Sequence, residues 1–201
     1  MKKILAVAIA ASALLLSGCS QVGAAATVGD TKITQAQVQS TVDSILAARV
    51  GVDTSQMQLE TGEALTRGQL RFFVLTELLQ STAKDLKITV SKAEIDTRRA
   101  SIIEQVGGAA SLPTALVGAG IAADNLDRYI EAISLSDKIG QAVTATGVAQ
   151  ADIGAAVQKL IVDKAAKLGV TINPRYGKWD ATVADVVAND PASSAVTPST
   201  K

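Results

Sequence analysis

Thr27-Val28-Gly29-Asp30-Thr31-Lys32-Ile33 sets β-branched residues on both sides of a Gly-Asp pair. That pattern reads as a small hairpin, or as an extended segment with a tight turn. Thr34 follows, with Gln37 three residues on, and this spacing predicts a helix start with a capping box. From there the apolar pattern is helical: Val38, Val42, Ile45 and Leu46 lie at offsets 0, 4, 7 and 8, and Gly51 stops the run.

Four more long helical patterns follow. A polar loop runs to about Leu65, with Met57 and Leu59 as anchors, and a second helix is expected from Thr66, with Gln69 as its capping partner. It carries one apolar stripe through Leu70, Phe73, Val74 and Leu78 and another through Phe72, Leu75, Leu79 and Leu86. Two stripes mean burial on more than one side, which predicts the central helix. A third helix opens at Ser91 with Glu94, shows Ile95, Ile102, Ile103 and Val106 on one face, and stops at Gly107-Gly108. Ser111 to Val117 reads as a short apolar helix with Pro113 near its start, closed by Gly118 and Gly120.

The fourth long helix carries Leu126, Tyr129, Ile130 and Ile133 and continues through Ile139 and Val143 to Gly147. The fifth carries Ile153, Val157, Leu160, Ile161 and Leu168, with Gly169 at the C-cap. Val170-Thr171-Ile172 is then a short strand, and Ala181 to Val187 a second extended piece. The expected fold class is therefore mainly α, one domain over residues 27–188. Residues 189–201, rich in Pro, Ser, Thr and Ala, are expected to form a disordered tail.

Upstream, Lys2 and Lys3 precede 13 residues, Ile4 to Leu16, that are apolar except for Ser12. A bilayer span needs about 20 such residues, whereas a secretory h-region has this length. Leu16-Ser17-Gly18-Cys19 follows, and its small residues before a cysteine resemble the bacterial lipobox. Residues 1–18 are thus expected to be a lipoprotein signal peptide, Cys19 the lipid-attachment residue and residues 19–26 a lipidated tether. Cleavage before Cys19 leaves 183 residues, with 17 basic against 19 acidic side chains, a charge of −2. A weakly acidic surface does not dock on anionic lipid, so acyl chains of the palmitate kind have to hold the protein at the cell membrane, on its extracytoplasmic side.

Composition narrows the chemistry. The chain has 201 residues, no histidine and one cysteine. That removes the usual neutral-pH base, the Ser-His-Asp triad, most zinc and haem sites and any intrachain disulfide. The formal charge of zero gives no basic excess for nucleic acid. No cofactor, metal or nucleotide is expected, and the chain is read as a non-enzyme. Only Phe72, Phe73, Tyr129, Tyr176 and Trp179 are aromatic, so the core has to be built from Ala, Val, Leu and Ile.

Four local patterns carry a chemical reading beside a plain one. Gly118-Ala119-Gly120-Ile121-Ala122-Ala123 spells GxGxxA, but without a strand before it a helix-ending glycine pair is favoured over a dinucleotide loop. Asp124, Asp127 and Glu131, or Asp180 and Asp185, would be needed as a carboxylate pair, yet acids at a helix start usually serve the dipole. Arg98 and Arg99 suit either an anion site or pairing with Glu94 and Asp96. Phe72-Phe73 suits core burial better than a binding hot spot.

The order of these elements resembles the N-terminal chaperone module of the SurA/PrsA family of extracytoplasmic foldases. The residues that carry the likeness are Val28-Gly29-Asp30-x-x-Ile33-Thr34, the apolar helix Leu70 to Leu86 ending in Lys87-Ile88-Thr89-Val90-Ser91-x-x-Glu94-Ile95, and the later helix with Leu126 and Tyr129-Ile130. The closing Val170-Thr171-Ile172-Asn173-Pro174-Arg175-Tyr176-Gly177-Lys178-Trp179 resembles the C-terminal strand of such lipoproteins. The resemblance implies that this strand pairs with the segment near Val28 in a two-stranded sheet, with Tyr176 and Trp179 packed close by. It also implies binding of unfolded or partly folded secreted proteins.

One departure bears on activity. The family's parvulin-type isomerase domain belongs between the chaperone helices and the C-terminal helix, and Ile139 to Ile153 leaves no room for it. The expected function is a membrane-anchored, ATP-independent holdase without prolyl isomerase activity. The client-binding candidates are Phe72, Leu112, Leu116 and Ile121. The alternative is a structural or adaptor lipoprotein with one dedicated envelope partner, bound at the loop Gly51 to Leu65 and the turn Ser111 to Ile121.

Overall fold

The computed structural model describes residues 22–189. The expected signal peptide, Cys19 and the tail beyond Asn189 lie outside the described residues. Six helices and five short strands follow one another: β1 (Ala24–Val28), β2 (Thr31–Thr34), α1 (Gln35–Val50), α2 (Gly62–Asp85), α3 (Lys92–Gln105), α4 (Leu112–Ala119), α5 (Leu126–Ala145), α6 (Ile153–Leu168), β3 (Val170–Ile172), β4 (Lys178–Asp180) and β5 (Asp185–Val187). The chain is mainly α, as its periodicity predicts. Among the described residues no helix is long and apolar enough to cross a membrane.

The Gly-Asp pattern is a hairpin. β1 and β2 are antiparallel, Val28 faces Thr31, and Gly29 takes the positive φ of 56° that the turn requires. β3 adds to the other edge of β1, also antiparallel, with Val28 opposite Val170 and Ala26 opposite Ile172. The pairing of the chain's two extended segments is therefore present, but the sheet has three strands in the order β2-β1-β3, not two. The hairpin supplies both partners for the central strand, and the bond from Gly29 N–H to Gly169 C=O, 2.9 Å, ties its turn to the end of α6.

The tether expectation fails at its C-terminal end. Ala24, Ala25 and Ala26 belong to β1 and are buried, so no free linker reaches Ala26. Small, polar-looking composition suggested a spacer, yet alanine is what a central strand needs where a helix lies close over it. Leu70, Phe73, Val74 and Leu78 of α2 join Ala25, Ala26, Val28 and Ile172 in one core cluster with Ile161 and Ala165 of α6. Each large side chain buried there contributes about 1.5–3 kcal/mol.

α2 is the central helix, packed on α1, α5, α6 and the sheet. It opens five residues earlier than expected, with Thr61 as N-cap in place of Thr66. Thr66 is interior and donates its hydroxyl to Gly62 C=O at 3.0 Å, while Gln69 turns to a neighbour instead of capping. Gly62 hid this start, since it holds φ +53° at a position where the Thr-Gly pair reads as a turn. The other starts match: Thr34 Oγ1 accepts from Gln37 N–H at 3.0 Å, and Ser91 and Glu94 form a complete capping box.

Past β3, β4 and β5 form a separate antiparallel hairpin. The piece expected to be extended from Ala181 is a turn up to Ala184, whose φ is +51°, and the first strand lies earlier, at Lys178–Asp180. Trp179 and Tyr176 are half-buried against the main core, as expected of them, and Val186 and Ala184 are buried within it.

Candidate functional site

A cleft of about 240 Å³ opens where three segments meet: residues 58–60 before α2, the first half of α2, and the link from α4 to α5. Gln58 and Leu59 form one wall. Gly118, Ala119, Gly120 and Ile121 form the other, and Gly68, Gln69 and Phe72 lie between them. Arg49 and Tyr129 complete the lining.

Each wall has a local cause. Gly120 stands in the left-handed region at φ 65° and ends α4, which lets the chain fold back toward α2. Gln69, nearly buried, donates from Nε2 to Gly120 C=O at 3.1 Å and holds that wall to α2. Asn125 donates from Nδ2 to Thr41 Oγ1 at 3.1 Å and pins the start of α5 to α1. Ala122 is buried with Val42, Ile45 and Leu65 beneath the cleft. A β-carbon at Gly68 would lie 2.8 Å from Glu60 Oε2, so the glycine makes room for that carboxylate.

The cleft is mixed in character. The Phe72 and Tyr129 rings lie 6.3 Å apart and tilted by 36°, and Phe72 also meets Phe73 at 5.4 Å. Phe73 is in the core, with the Arg128 guanidinium 5.3 Å from its ring centre. Arg49 brings a cation to the cleft, and its Nε is buried without a hydrogen-bond partner. Aromatic faces, a guanidinium and amide groups together suit a peptide-like ligand, with apolar and hydrogen-bonding parts in alternation.

Of the four client-binding candidates, the cleft takes two. Phe72 and Ile121 line it, whereas Leu112 and Leu116 belong to a cluster with Leu126 and Ile130 under α3. Leu116 is 9% exposed and is a core residue, because α4 packs on α1 and turns Leu116 onto Leu126 and Ile130 of α5. Arg49, Gln69 and Tyr129 were not singled out as site residues. The paired glycines Gly118 and Gly120, and the loop before α2, are the sequence signals that lead to them.

The other chemical patterns are satisfied structurally. Gly118 lies inside α4 and Gly120 caps it, with no strand before them. Asp127 pairs with Arg99, and Glu131 accepts from Gln80 Nε2 at 3.1 Å. Asp180 and Asp185 stand opposite each other in the β4–β5 hairpin, but each carboxylate is engaged by a different partner. Asp180 accepts from the Thr182 hydroxyl and N–H, which hold its carboxyl below the usual range, and Asp185 pairs with Arg71 at 2.8 Å. Arg98 and Arg99 reach across to α5 at Asp137 and Asp127, and Arg99 also meets Asp96.

A family model described as the SurA-like N-terminal domain matches residues 1–104, more than half of the chain. The chain belongs to this chaperone-related family. The matched stretch runs through the β1–β2 hairpin, α1, α2 and almost all of α3. No curated protein and no solved structure matches the chain.

Proposed function

We propose that this protein is a lipid-anchored, ATP-independent holdase that binds non-native polypeptides on the extracytoplasmic side of the membrane and has no prolyl isomerase activity. The cleft between the 58–60 segment and the α4–α5 link carries this reading. Phe72, Tyr129 and Ile121 offer it apolar surface, Gln58 and Arg49 offer hydrogen-bonding groups, and Gln69 holds one wall in place. A chain of unspecified sequence needs both, with modest strength per contact, and an affinity of about micromolar (about −8 kcal/mol) or weaker is expected. Membership of the SurA-like family supports the polypeptide as ligand class. The lipobox at Cys19 supports the anchor.

The test follows light scattering of a chemically unfolded client, with the purified full chain or an inert protein of similar size. Suppression near stoichiometric amounts is expected, and no suppression at several-fold excess would overturn the reading. Phe72→Ala with Tyr129→Ala should weaken suppression roughly tenfold, about 1.4 kcal/mol. Cys19→Ser should move the protein from the membrane fraction to the soluble one. A proline-peptide isomerisation assay should show no acceleration.

A second reading has one observation in its favour. The rim groups Arg49, Gln58, Glu60 and Asn125 form a defined polar set, and such a set favours one complementary surface over many. On that reading the protein is an adaptor with a single envelope partner. In-envelope crosslinking from the 58–60 segment would then give one dominant adduct, and general suppression would be absent.

A further inference from the structure

Among the six α-helices of the described residues, α3 is the one with no buried residue. It lies along α5, and its apolar side, Ile95 and Ile102, is only half-buried over the cluster of Leu116, Leu126 and Ile130. Charge holds it there. Glu94 pairs with Lys138 at 2.5 Å, Arg98 with Asp137 at 2.8 Å, and Arg99 with Asp127. Lys138 also donates to Thr89 C=O at 2.7 Å, just before α3 begins. Beneath these pairs an open groove of about 630 Å³ separates the two helices, lined mostly by polar side chains such as Thr97, Ser101 and Gln141.

Positive-φ residues flank α3 on both sides. Gly107 and Gly108 follow it with φ of 93° and 102°, and Lys87 precedes it at φ 56°. A helix of 14 residues freed from α5 is marginal by itself, so its amides exchange faster once it is released. Its capping box is local, and the pairs Lys92–Asp96 at 2.6 Å and Arg99–Asp96 at 3.1 Å lie within its own turns. α2 and α4, on either side, are fixed by buried residues.

We propose that α3 is a strap latched to α5 by ion pairs, and that its release uncovers the apolar surface of Leu112, Leu116, Leu126 and Ile130 for a non-native chain. The second half rests on the holdase reading; the first does not. It also gives Leu112 and Leu116, which the cleft does not present, a place in client binding. Exposed ion pairs weaken as salt shortens the Debye length from about 10 Å at 0.1 M to about 3 Å at 1 M, whereas an apolar core does not loosen in this way. A strap held by charge should therefore respond to salt when its neighbours do not.

The test is hydrogen exchange on the full chain at low salt and at high sodium chloride. Exchange of the α3 amides should speed up about tenfold relative to those of α2 and α5, and Asp137→Asn with Lys138→Met should produce the same rise at low salt. An unchanged ratio in both experiments would overturn the latch. A second arm uses Ala93→Cys with Gln141→Cys in a Cys19→Ser chain, bridged by a bis-maleimide across the groove. Bridging should abolish client suppression that the unbridged chain shows. Undiminished suppression in the bridged chain would remove the client-binding half and leave the latch standing. If the unbridged chain suppresses nothing, the holdase reading fails, and the exchange data alone judge the strap.

Discussion

Gly177 shows how a single position can depend on its lack of a side chain. Its φ is 139°, and a β-carbon there would come 2.3 Å from Val187 C=O, the backbone of the last strand. Gly177→Ala should cost about 2 kcal/mol or more, read as a lower denaturation midpoint with an unchanged slope. Lys164 presents the opposite case, a charge kept where most charges are absent. Its side chain is 8% exposed, and among the described residues its ammonium pairs with the Asp85 carboxylate, which is 55% exposed and held below its usual pKa mainly by that bond. Lys164→Met should leave the melting temperature unchanged or raise it, whereas Asp85→Asn should lower it, because a buried ammonium then has no counter-charge. Neither dependence is visible in the residue type alone. A lysine within Val157 to Leu168 reads as a solvated face until α2 is laid beside it.

Capping chemistry made the helices legible, and its local range explains both success and failure. Ser91 and Glu94 interact within one turn, so their spacing carries the whole signal. Glu94 accepts from Lys138, then from Ser91 N–H and Ser91 hydroxyl, and these bonds draw its pKa down from 4.5 to about 2. A depressed carboxyl stabilises the fold above its unfolded pKa and loses that contribution as pH falls through its folded value. Acidification from about pH 4.5 to about pH 2 should therefore loosen the start of α3. NMR titration of the Ser91 and Glu94 amides checks this, and Lys138→Met should raise the midpoint. The start of α2 was misread for the same reason. Thr66 and Gln69 have capping spacing, but both side chains are engaged elsewhere, one within its own helix and one 51 residues away at Gly120. Spacing cannot tell a capping glutamine from one recruited by a distant carbonyl.

The assembled domain closes through its two ends. β1 begins at Ala24, and β3 returns beside β1 after six helices. A chain ended at Gly169 loses Ile172, Ala184 and Val186 from the core along with β1's partner. It should be less stable by about 5 kcal/mol in denaturant titration; a midpoint equal to that of the full chain would show the pairing to be dispensable. The helices, their order, the hairpin at Gly29 and the aliphatic make-up of the core follow from periodicity, caps and composition. These depend on neighbours within a few positions, which is the range over which a sequence can be read directly. Long-range meeting of side chains is of another kind. It joined Phe72 and Ile121 with Arg49 and Tyr129 in one cleft and sent Leu112 and Leu116 beneath α3. It turned the last three residues of an expected tether into part of a buried central strand, and set the Arg98 and Arg99 pair against acids on α5 in addition to those beside it. Such contacts are selected by how whole faces pack and where charges are left to find partners, and tertiary packing alone decides them.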